Sequence, residues 1–418
     1  MPARPDRLDV FYGRELVGCV RDSAPLAFEY APAWLAGPQR MTLAAIPLQA
    51  GWQATPEVQA FFENLLPEGD LRDYLAAQRK ASTLFSLLLE VAGDTAGAFV
   101  LVASGQTPEP PRYEATTWEA IAAILAGRSA SAIDIHDRGA RISLAGAQDK
   151  TSIALFDDGV PRLPKGTSPS THILKPNIRR LTKVWHSAAN ETIVMKAAAL
   201  CGLPTAEVFY EPHTQACVVR RFDRQVRPDG TLARRVQYDL CQLAGTLSER
   251  KYEKEGGPGL AACAALIRHY STQPASDLRH LVHWLFFNLY VGNNDSHAKN
   301  LSIYSLPGQG VTLTPFYDLM CTRLYAGLSP EFAFAIGGEA RPGEMTAEHL
   351  ALLAGQMGMQ PRFLAQQARE MADRVPAAVS QAVQEVAPAL PTSARTLAGR
   401  LERFVATSTR KIAARLAA

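Results

Sequence analysis

The chain has 418 residues, which is enough for two or three packed units, since domains commonly span about 150 residues. Hydrophobic residues make up 47% of it and charged residues 20%, a composition that excludes a disordered chain, a collagen and a coiled coil. The formal net charge of +3 is too small over this length to indicate a nucleic-acid or anionic-membrane partner by itself.

The cysteines indicate a reducing compartment, and the apolar segments indicate neither a signal peptide nor a membrane span. Six scattered cysteines lack the paired spacing of a metal site, so we expect them to be reduced and buried. The N-terminus leads into a strand pattern without an apolar signal segment. The most apolar stretch, residues 281–291, is far shorter than the ~20 residues that a bilayer span requires. We therefore expect a cytoplasmic protein with no membrane partner.

The N-terminal region predicts one compact α+β unit over residues 1–106. β-branched and aromatic residues on both sides of the turn at Gly13 predict a hairpin. Three helical patterns follow, at 56–66, 71–79 and 82–91. Three prolines within four residues then predict a linker over 107–115, because proline fits neither a helix interior nor a central strand.

The rest of the chain changes from strands to helices. A capping-box pattern from Thr116 to Glu119 predicts a helix, and a β-rich stretch with one helix at 190–201 follows it. From 239 onward the pattern is predominantly helical. We expect residues 116–223 to form the small lobe, and residues 224–418 the large helical lobe, of a two-lobed kinase-like domain.

A polar loop directly after the apolar helix resembles a kinase catalytic loop. In kinases an Asp on this loop accepts the proton of the substrate hydroxyl, and an Asn five positions later reaches a magnesium ion. Asp295 and Asn300 have this spacing. A polar connector is the alternative, because Asn and Asp favour turns in any protein.

A second carboxylate follows two aromatic residues farther along the chain. Asp318 comes after Phe316 and Tyr317, where kinases place the Asp that holds magnesium between the β- and γ-phosphates. A helix N-cap is the alternative role for such an Asp. The spacing from Asp295 and Asn300 favours the metal-binding role.

An upstream Lys and Glu have the order of the kinase phosphate-binding pair. Lys175 ends an apolar strand, and Glu191 opens the helix that follows. In kinases a helix Glu orients such a Lys, which binds the α- and β-phosphates. An exposed edge Lys and a solvated Glu are the alternative.

A loop of small residues precedes a predicted strand. Ala145, Gly146 and Ala147 would let backbone N–H groups approach phosphate oxygens, and Lys150 adds a positive charge. The loop does not have the GxxxxGK[ST] pattern of a P-loop. An ordinary hairpin turn is the alternative.

These motifs, in this order along nearly the whole chain, resemble the HipA kinases, the toxin components of HipA/HipB-type toxin–antitoxin systems. The segments that carry the resemblance begin at Asn64, Gly93, Ile142, Thr171, Arg221, Asp295 and Leu313. They read NLLPEG, GDTAGA, ISLAGAQDKT, THILK, RFDR, DSHAKN and LTPFYD. The resemblance implies an α+β protein with the HipA-like atypical protein-kinase fold, a small β-rich N-terminal lobe and a large helical C-terminal lobe.

The resemblance implies a serine/threonine protein kinase that uses ATP and Mg²⁺. Asp295 would be the catalytic base, Asn300 and Asp318 the Mg²⁺ ligands, and Lys175 the phosphate-binding Lys. The implied nucleotide-binding residues are Ala145, Gly146, Ala147, Gln148, Asp149, Lys150, Lys175, Arg221, Phe222, His297, Asn300, Tyr317 and Asp318. For His297, bracing of the loop is an equally open interpretation.

The resemblance also implies regulation and partners. The family autophosphorylates a Ser just before the phosphate loop, which here is Ser143, and a phosphate of about −2 charge would expel that loop. Known targets of the family include aminoacyl-tRNA synthetases. A small helix-turn-helix antitoxin, HipB, holds the kinase inactive, and the pair represses its own operon, so we expect operator DNA to be contacted only through this complex.

One position departs from the family pattern, and two other functions stay open. Arg220 stands where family members often have Glu, in the stretch that joins the lobes; a backbone contact to adenine would survive this change, and a side-chain contact would not. The first alternative function is a co-repressor or binding subunit with weak or no catalysis. The second is a kinase for a non-protein acceptor, because kinase-like sites share the phosphate apparatus.

Overall fold

The structure is a computed structural model that describes residues 5–38, 40–91, 93–127 and 148–417. The chain divides into two compact units. The first, here called the sheet unit, comprises Met1–Leu174 and Arg221–Glu249. The second, the helical unit, comprises Lys175–Arg220 and Arg250–Ala418.

An antiparallel sheet of four strands begins the sheet unit. Its strands, in spatial order, are β3 (Ala27–Tyr30), β2 (Glu15–Arg21), β1 (Arg7–Tyr12) and β4 (Phe99–Ala103). The hairpin predicted around Gly13 is therefore confirmed. Gly18 on β2 is required by packing, because a Cβ there would lie 2.2 Å from the carbonyl oxygen of Glu29.

Four helices accompany this sheet. They are α1 (Pro32–Ala36), α2 (Pro56–Glu63), α3 (Gly69–Arg79) and α4 (Leu84–Val91). The side chain of Thr55 accepts a hydrogen bond from Val58 N and caps α2, and Pro56 occupies the first helical position. Phe61 and Phe62 on α2 pack edge-on to each other in the core.

The remaining elements of the sheet unit are short. They are β5 (Arg112–Ala115), α5 (Trp118–Leu125), β6 (Thr151–Ile153), β7 (Arg162–Lys165), β8 (His172–Lys175, whose last residue already belongs to the helical unit), β11 (Arg224–Val226), β12 (Leu232–Arg234), β13 (Gln237–Asp239) and α7 (Leu240–Leu243). The antiparallel pairs are β5 with β7, β6 with β8, and β11 with β12. Thr117 rather than Thr116 caps α5, so the predicted capping box was wrong by one residue.

Two parts of the chain differ from the sequence-based expectation. The end of the predicted linker, 107–115, forms β5, because its partner β7 supplies the backbone hydrogen bonds that a proline-rich stretch lacks internally. Residues 221–249 belong to the sheet unit and carry β11 and β12, although we expected the helical lobe to begin at 224. The four predicted domain ranges stay a prediction.

The helical unit combines long helices with two small antiparallel strand pairs. In chain order its main elements are α6 (Ser187–Leu200), β9 (Val208–Glu211), β10 (Ala216–Arg220), α8 (Leu260–Tyr270), α9 (Pro274–Val291), β14 (Ser302–Leu306), β15 (Gly310–Leu313), α10 (Ala347–Gln356), α11 (Pro361–Val386) and α12 (Thr392–Ala417). β9 pairs with β10 and β14 with β15, both antiparallel.

The core of the helical unit lies where α11 packs against α6, α9 and α12. Trp284 and Phe287 on α9 are fully buried, and Trp284 stacks on Phe316 from the segment that follows β15. This packing holds the middle of α9 against the residues that follow β15. Among the described residues, no helix combines the length and apolarity that crossing a membrane requires.

Candidate active site

Lys175 and Glu191 form a buried ion pair in the helical unit. Lys175 Nζ donates to Glu191 Oε1 at 2.6 Å, and both side chains are nearly inaccessible to solvent. Lys175 Nζ also donates to Asp318 Oδ1 at 2.7 Å. Burial opposes the charged form of the ammonium, but Asp318 and Glu191 outweigh it and raise the pKa of Lys175. The alternative of an exposed edge Lys was therefore wrong.

Helix α6 connects the Lys175 pair to the Asp318 segment. Asn190, directly before Glu191, donates from Nδ2 to Cys321 O and to the Tyr325 hydroxyl, both at 3.0 Å. Its Oδ1 accepts from Cys321 N at 2.9 Å. Two adjacent residues of one helix thus hold Lys175 and the chain just after Asp318.

Asn190 was not predicted as a site residue. The signal that could have identified it is a fully buried amide within an apolar, Ala-rich helix, since buried polar groups are kept where they have hydrogen-bond partners.

Asn190→Ala is expected to lower the free energy of unfolding by about 1–3 kcal/mol, because Cys321 N would remain buried without its acceptor. Thr192→Val is the matched control: Thr192 is equally buried on α6, but its hydroxyl donates to Ala188 O of its own helix and satisfies no backbone N–H of another segment. Urea denaturation of the two variants checks this. Equal midpoints for both would contradict the role of the Asn190 contacts.

Asp318 has a strained backbone. Its φ of +59° lies in the left-handed region, which few residues other than Gly, Asn and Asp adopt. Such strain persists where the surroundings enforce it, often at functional sites. No helix begins at Asp318 in the described part of the chain, so the N-cap alternative was wrong.

Tyr317 braces the neighbouring loop. Its hydroxyl lies 2.7 Å from Ser302 Oγ and 3.1 Å from Lys299 O, so it connects β14 to the loop of residues 293–300. These contacts are structural, and a nucleotide contact by Tyr317 stays a prediction.

The 293–300 loop is closed by its own polar groups. It begins after Gly292, whose φ of +75° ends α9. Asp295 N donates to Asn293 Oδ1 at 3.2 Å, and Asn300 Nδ2 donates to Asp295 O at 2.9 Å. Asp295 itself is exposed, whereas Asn300 is buried. The loop therefore presents one carboxylate to solvent on a framework fixed by two Asn side chains.

His297 is a buried, neutral imidazole. Burial and the nearby charge of Lys251 hold its pKa well below 6.5. Its Nδ1 is buried and has no hydrogen-bond partner among the described residues. A ring nitrogen without a hydrogen-bond partner could accept one from a ligand. The His297 ring also packs edge-on against Tyr252, with 5.0 Å between the ring centroids, and this contact braces the loop. Both interpretations of His297 thus remain open.

Asn300 and Asp318 fit the requirements of Mg²⁺. Mg²⁺ prefers carboxylate and amide oxygens, and it often takes only one or two protein ligands besides phosphates and water. The amide nitrogen of Asn300 is used by Asp295 O, so its amide oxygen remains as the ligand atom. Within the described ranges, no group of three or more His, Cys, Asp or Glu side chains is arranged to hold a metal ion.

The described end of the predicted phosphate loop, residues 148–150, belongs to the sheet unit. Ser143, Ala145, Gly146 and Ala147 lie outside the described residues. Of the remaining residues, Gln148 and Asp149 are half-buried and Lys150 is buried just before β6. Gln148 Nε2 is buried without a hydrogen-bond partner in the described chain. The role of this loop stays a prediction.

Arg221 is committed to a buried ionic network in the sheet unit. Its guanidinium donates to both oxygens of Asp223 at 3.0 and 2.8 Å, and to Asp94 at 3.2 Å. It also donates to Ser170 Oγ at 3.0 Å and Thr95 O at 2.8 Å. These bonds use all five donors of the side chain. A nucleotide contact by Arg221 would therefore have to use its backbone.

The other residues of this stretch are less constrained. Phe222 is half-buried, and its carbonyl oxygen accepts from Arg235 at 3.2 Å. The Arg220 side chain is exposed and pairs with Glu207 at 2.9 Å. Arg220 thus does not disturb the buried network, and the nucleotide roles of Arg221 and Phe222 stay predictions.

Two family models match the chain. Residues 142–382, more than half of it, match the HipA-like C-terminal domain. Residues 8–102 match the HipA N-terminal domain.

Curated relatives match over most of their length. The protein Y4mE of Sinorhizobium fredii is 35% identical over 389 residues, covering 90% of this chain and 91% of the relative. The serine/threonine-protein kinase toxin HipA of Shewanella oneidensis is 30% identical over 356 residues, covering 80% and 79%.

A solved structure has the same fold. HipA of Shewanella oneidensis MR-1, in complex with HipB and its operator DNA, aligns with a TM-score of 0.77 and 28% identity. The alignment covers 98% of this chain and 96% of that one. The expected α+β, HipA-like fold is therefore confirmed.

Proposed function

The chain belongs to the HipA family, and from this premise we propose that it is an ATP- and Mg²⁺-dependent serine/threonine protein kinase that acts as the toxin of a type II toxin–antitoxin system. The observation that carries the proposal is the set of groups in the helical unit. Lys175, Glu191 and Asp318 form one ion-paired cluster, and Asp295 projects from the loop that Asn300 closes.

Each of these side chains suits one part of phosphoryl transfer. The charged Lys175, held by Glu191, would bind phosphate oxygens. Asn300 and Asp318 would hold Mg²⁺, which supplies positive charge to the phosphates when bound. Lys175 meanwhile holds the Asp318 carboxylate in place by the 2.7 Å ion pair, while the Asp318 backbone keeps its left-handed conformation.

Asp295 would serve as the general base. Its exposed carboxylate would accept the proton of the acceptor hydroxyl while the oxygen of that hydroxyl bonds to the γ-phosphorus. The bond between this phosphorus and the β–γ bridging oxygen breaks, and ADP leaves with that oxygen.

The proposed acceptor and partners are those of the family. We propose a protein acceptor, such as an aminoacyl-tRNA synthetase or another translation component, and a cytoplasmic location. We also propose inhibition by a HipB-like antitoxin and joint repression of the operon. The structural relative assembled with HipB and operator DNA supports this.

The surface of α12 is consistent with DNA contact through the antitoxin alone. Its basic residues partly serve the protein itself: the Arg400 guanidinium lies 4.9 Å from the centroid of the Trp185 ring, and Arg415 lies 3.8 Å from Glu344. These contacts engage two basic residues of α12 within the chain itself.

Incubation of phosphatase-treated protein with Mg-ATP is expected to add the mass of one phosphate, located at Ser143, because the family modifies this position. Intact mass spectrometry followed by phosphopeptide mapping measures it. Ser143→Ala should abolish the shift, and Ser131→Ala, another serine of the same stretch, should retain it. A wild-type protein whose mass does not change contradicts the proposed kinase activity. A Ser143→Ala protein that still gains the mass of one phosphate contradicts only the assignment of Ser143 as the modified residue.

A further inference from the structure

A tyrosine from outside the 293–300 loop reaches the carboxylate of Asp295. The hydroxyl of Tyr252 donates a hydrogen bond to Asp295 Oδ1, across 43 residues of sequence within the helical unit. A phenol is a hydrogen-bond donor at neutral pH, and bonds from hydroxyl groups to carboxylates are among the stronger ones in proteins.

The ring of Tyr252 is held by its neighbours. It packs edge-on against His297, with 5.0 Å between the ring centroids and 85° between the planes. Lys251 Nζ lies 5.4 Å from the Tyr252 ring centroid. The hydroxyl therefore points at Asp295 from a ring that His297 and Lys251 already orient.

The backbone around Tyr252 is compact, in what we call the Tyr252 segment (residues 250–259). Tyr252 O accepts hydrogen bonds from Glu255 N and Gly257 N, both at 3.0 Å. A Cβ on Gly257 would lie 2.0 Å from Arg250 O, so the turn requires glycine. Glu253 Oε2 accepts from Ala335 N at 2.8 Å and anchors the segment. This construction places Tyr252 as a fixed group.

Side chains thus hold Asp295 at three different groups. Asn293 binds its backbone N–H, Asn300 binds its carbonyl, and Tyr252 binds its carboxylate. Asp295 nevertheless remains exposed with Tyr252 in place. The hydroxyl therefore orients the carboxylate without covering it.

We propose that Tyr252 is a positioning residue that holds the Asp295 carboxylate in the orientation in which it accepts the proton of the acceptor hydroxyl. The inference rests on the proposed function, because it gives Asp295 the role of base. Orientation matters here, since small misplacements of a catalytic group lower rates strongly.

Tyr252→Phe removes the hydroxyl and keeps the ring that packs on His297. We expect kcat to fall by about tenfold, because the carboxylate loses its fixed orientation, while KM for ATP stays unchanged. Tyr290→Phe is the matched control: its buried hydroxyl bonds to Ala368 O on α11, so its loss should lower stability and leave kcat intact.

Steady-state kinetics separates the possible outcomes. A wild type that transfers no phosphate overturns the proposed function. An active wild type matched by Tyr252→Phe overturns this inference alone. A faster Tyr252→Phe also overturns it, because the tyrosine would then obstruct the base.

A double-mutant cycle tests the contact without using activity. The urea midpoints of Tyr252→Phe, Asp295→Asn and the double variant are compared. Non-additive shifts support the bond between the hydroxyl and the carboxylate, and additive shifts overturn it even if the kinetics change.

Discussion

Replacing Asp295 by asparagine is expected to lower the rate of phosphoryl transfer by about 10²- to 10⁴-fold, because an amide does not accept the proton that a carboxylate base removes. The fold should survive. The contacts of Asn293 and Asn300 use the backbone N–H and carbonyl of residue 295, which the substitution leaves in place.

Intact mass and ADP release after incubation with Mg-ATP measure this effect, with thermal melting in parallel. Asp373→Asn is the matched control, because it makes the same chemical change at an exposed position on α11. An Asp295→Asn protein that melts normally and transfers phosphate at the wild-type rate would refute the role of Asp295.

Asp94→Ala is expected to lower the free energy of unfolding by about 3–5 kcal/mol, because it leaves buried guanidinium groups without their counter-charge. Asp94 accepts from Arg221, Arg224 and Arg234 at 3.2, 2.8 and 3.3 Å. Without Asp94, the carboxylate of Asp223 would be the remaining acidic group of this network. All of these residues lie in the sheet unit.

Urea denaturation of the full chain measures this loss of unfolding free energy. Asp158→Ala is the matched control: it breaks the partly exposed pair with Arg162, and such surface pairs contribute about 0–1 kcal/mol. Asp94→Asn keeps the shape of the side chain if the alanine variant fails to fold. A loss in Asp94→Asn no greater than that in Asp158→Ala would contradict the expectation.

The network also predicts a pH dependence. Burial opposes ionisation of Asp223, but Arg221 and Arg224 outweigh it and lower its pKa to about 2. Burial also opposes ionisation of Asp94, but the charges of Arg221, Arg224 and Arg234 outweigh it. The pKa of Asp94 is therefore lowered more than that of Asp223. Because the unfolded chain binds protons first, this stabilisation is complete above the ordinary Asp pKa of about 4 and is lost as the pH falls through the folded pKa.

Much of the candidate site could be predicted from short stretches of sequence. Asp295 and Asn300 lie five residues apart, directly after an apolar helix, and the structure places them on one closed loop. The hairpin around Gly13 and the end of α9 at Gly292 also follow from local rules, because glycine permits the left-handed conformation that both turns use. Neighbouring residues decide such features, so a single sequence shows them.

The contacts that give these residues their environment come from distant parts of the chain. Lys175 and Asp318 are 143 residues apart, and Tyr252 approaches Asp295 from a segment with no motif of its own. Arg221 belonged to a predicted nucleotide-binding motif, yet its guanidinium donates its hydrogen bonds to buried partners that include Asp94 and Asp223.

The sequence alone was therefore sufficient for the family, the α+β class and the order of the candidate catalytic residues, since these depend on residue type and local spacing. Only the packing of the folded chain decided which charges are paired, which carboxylate remains exposed and which polar side chains hold others in place. Burial and hydrogen bonding depend on atoms that folding brings together, and no local pattern records them.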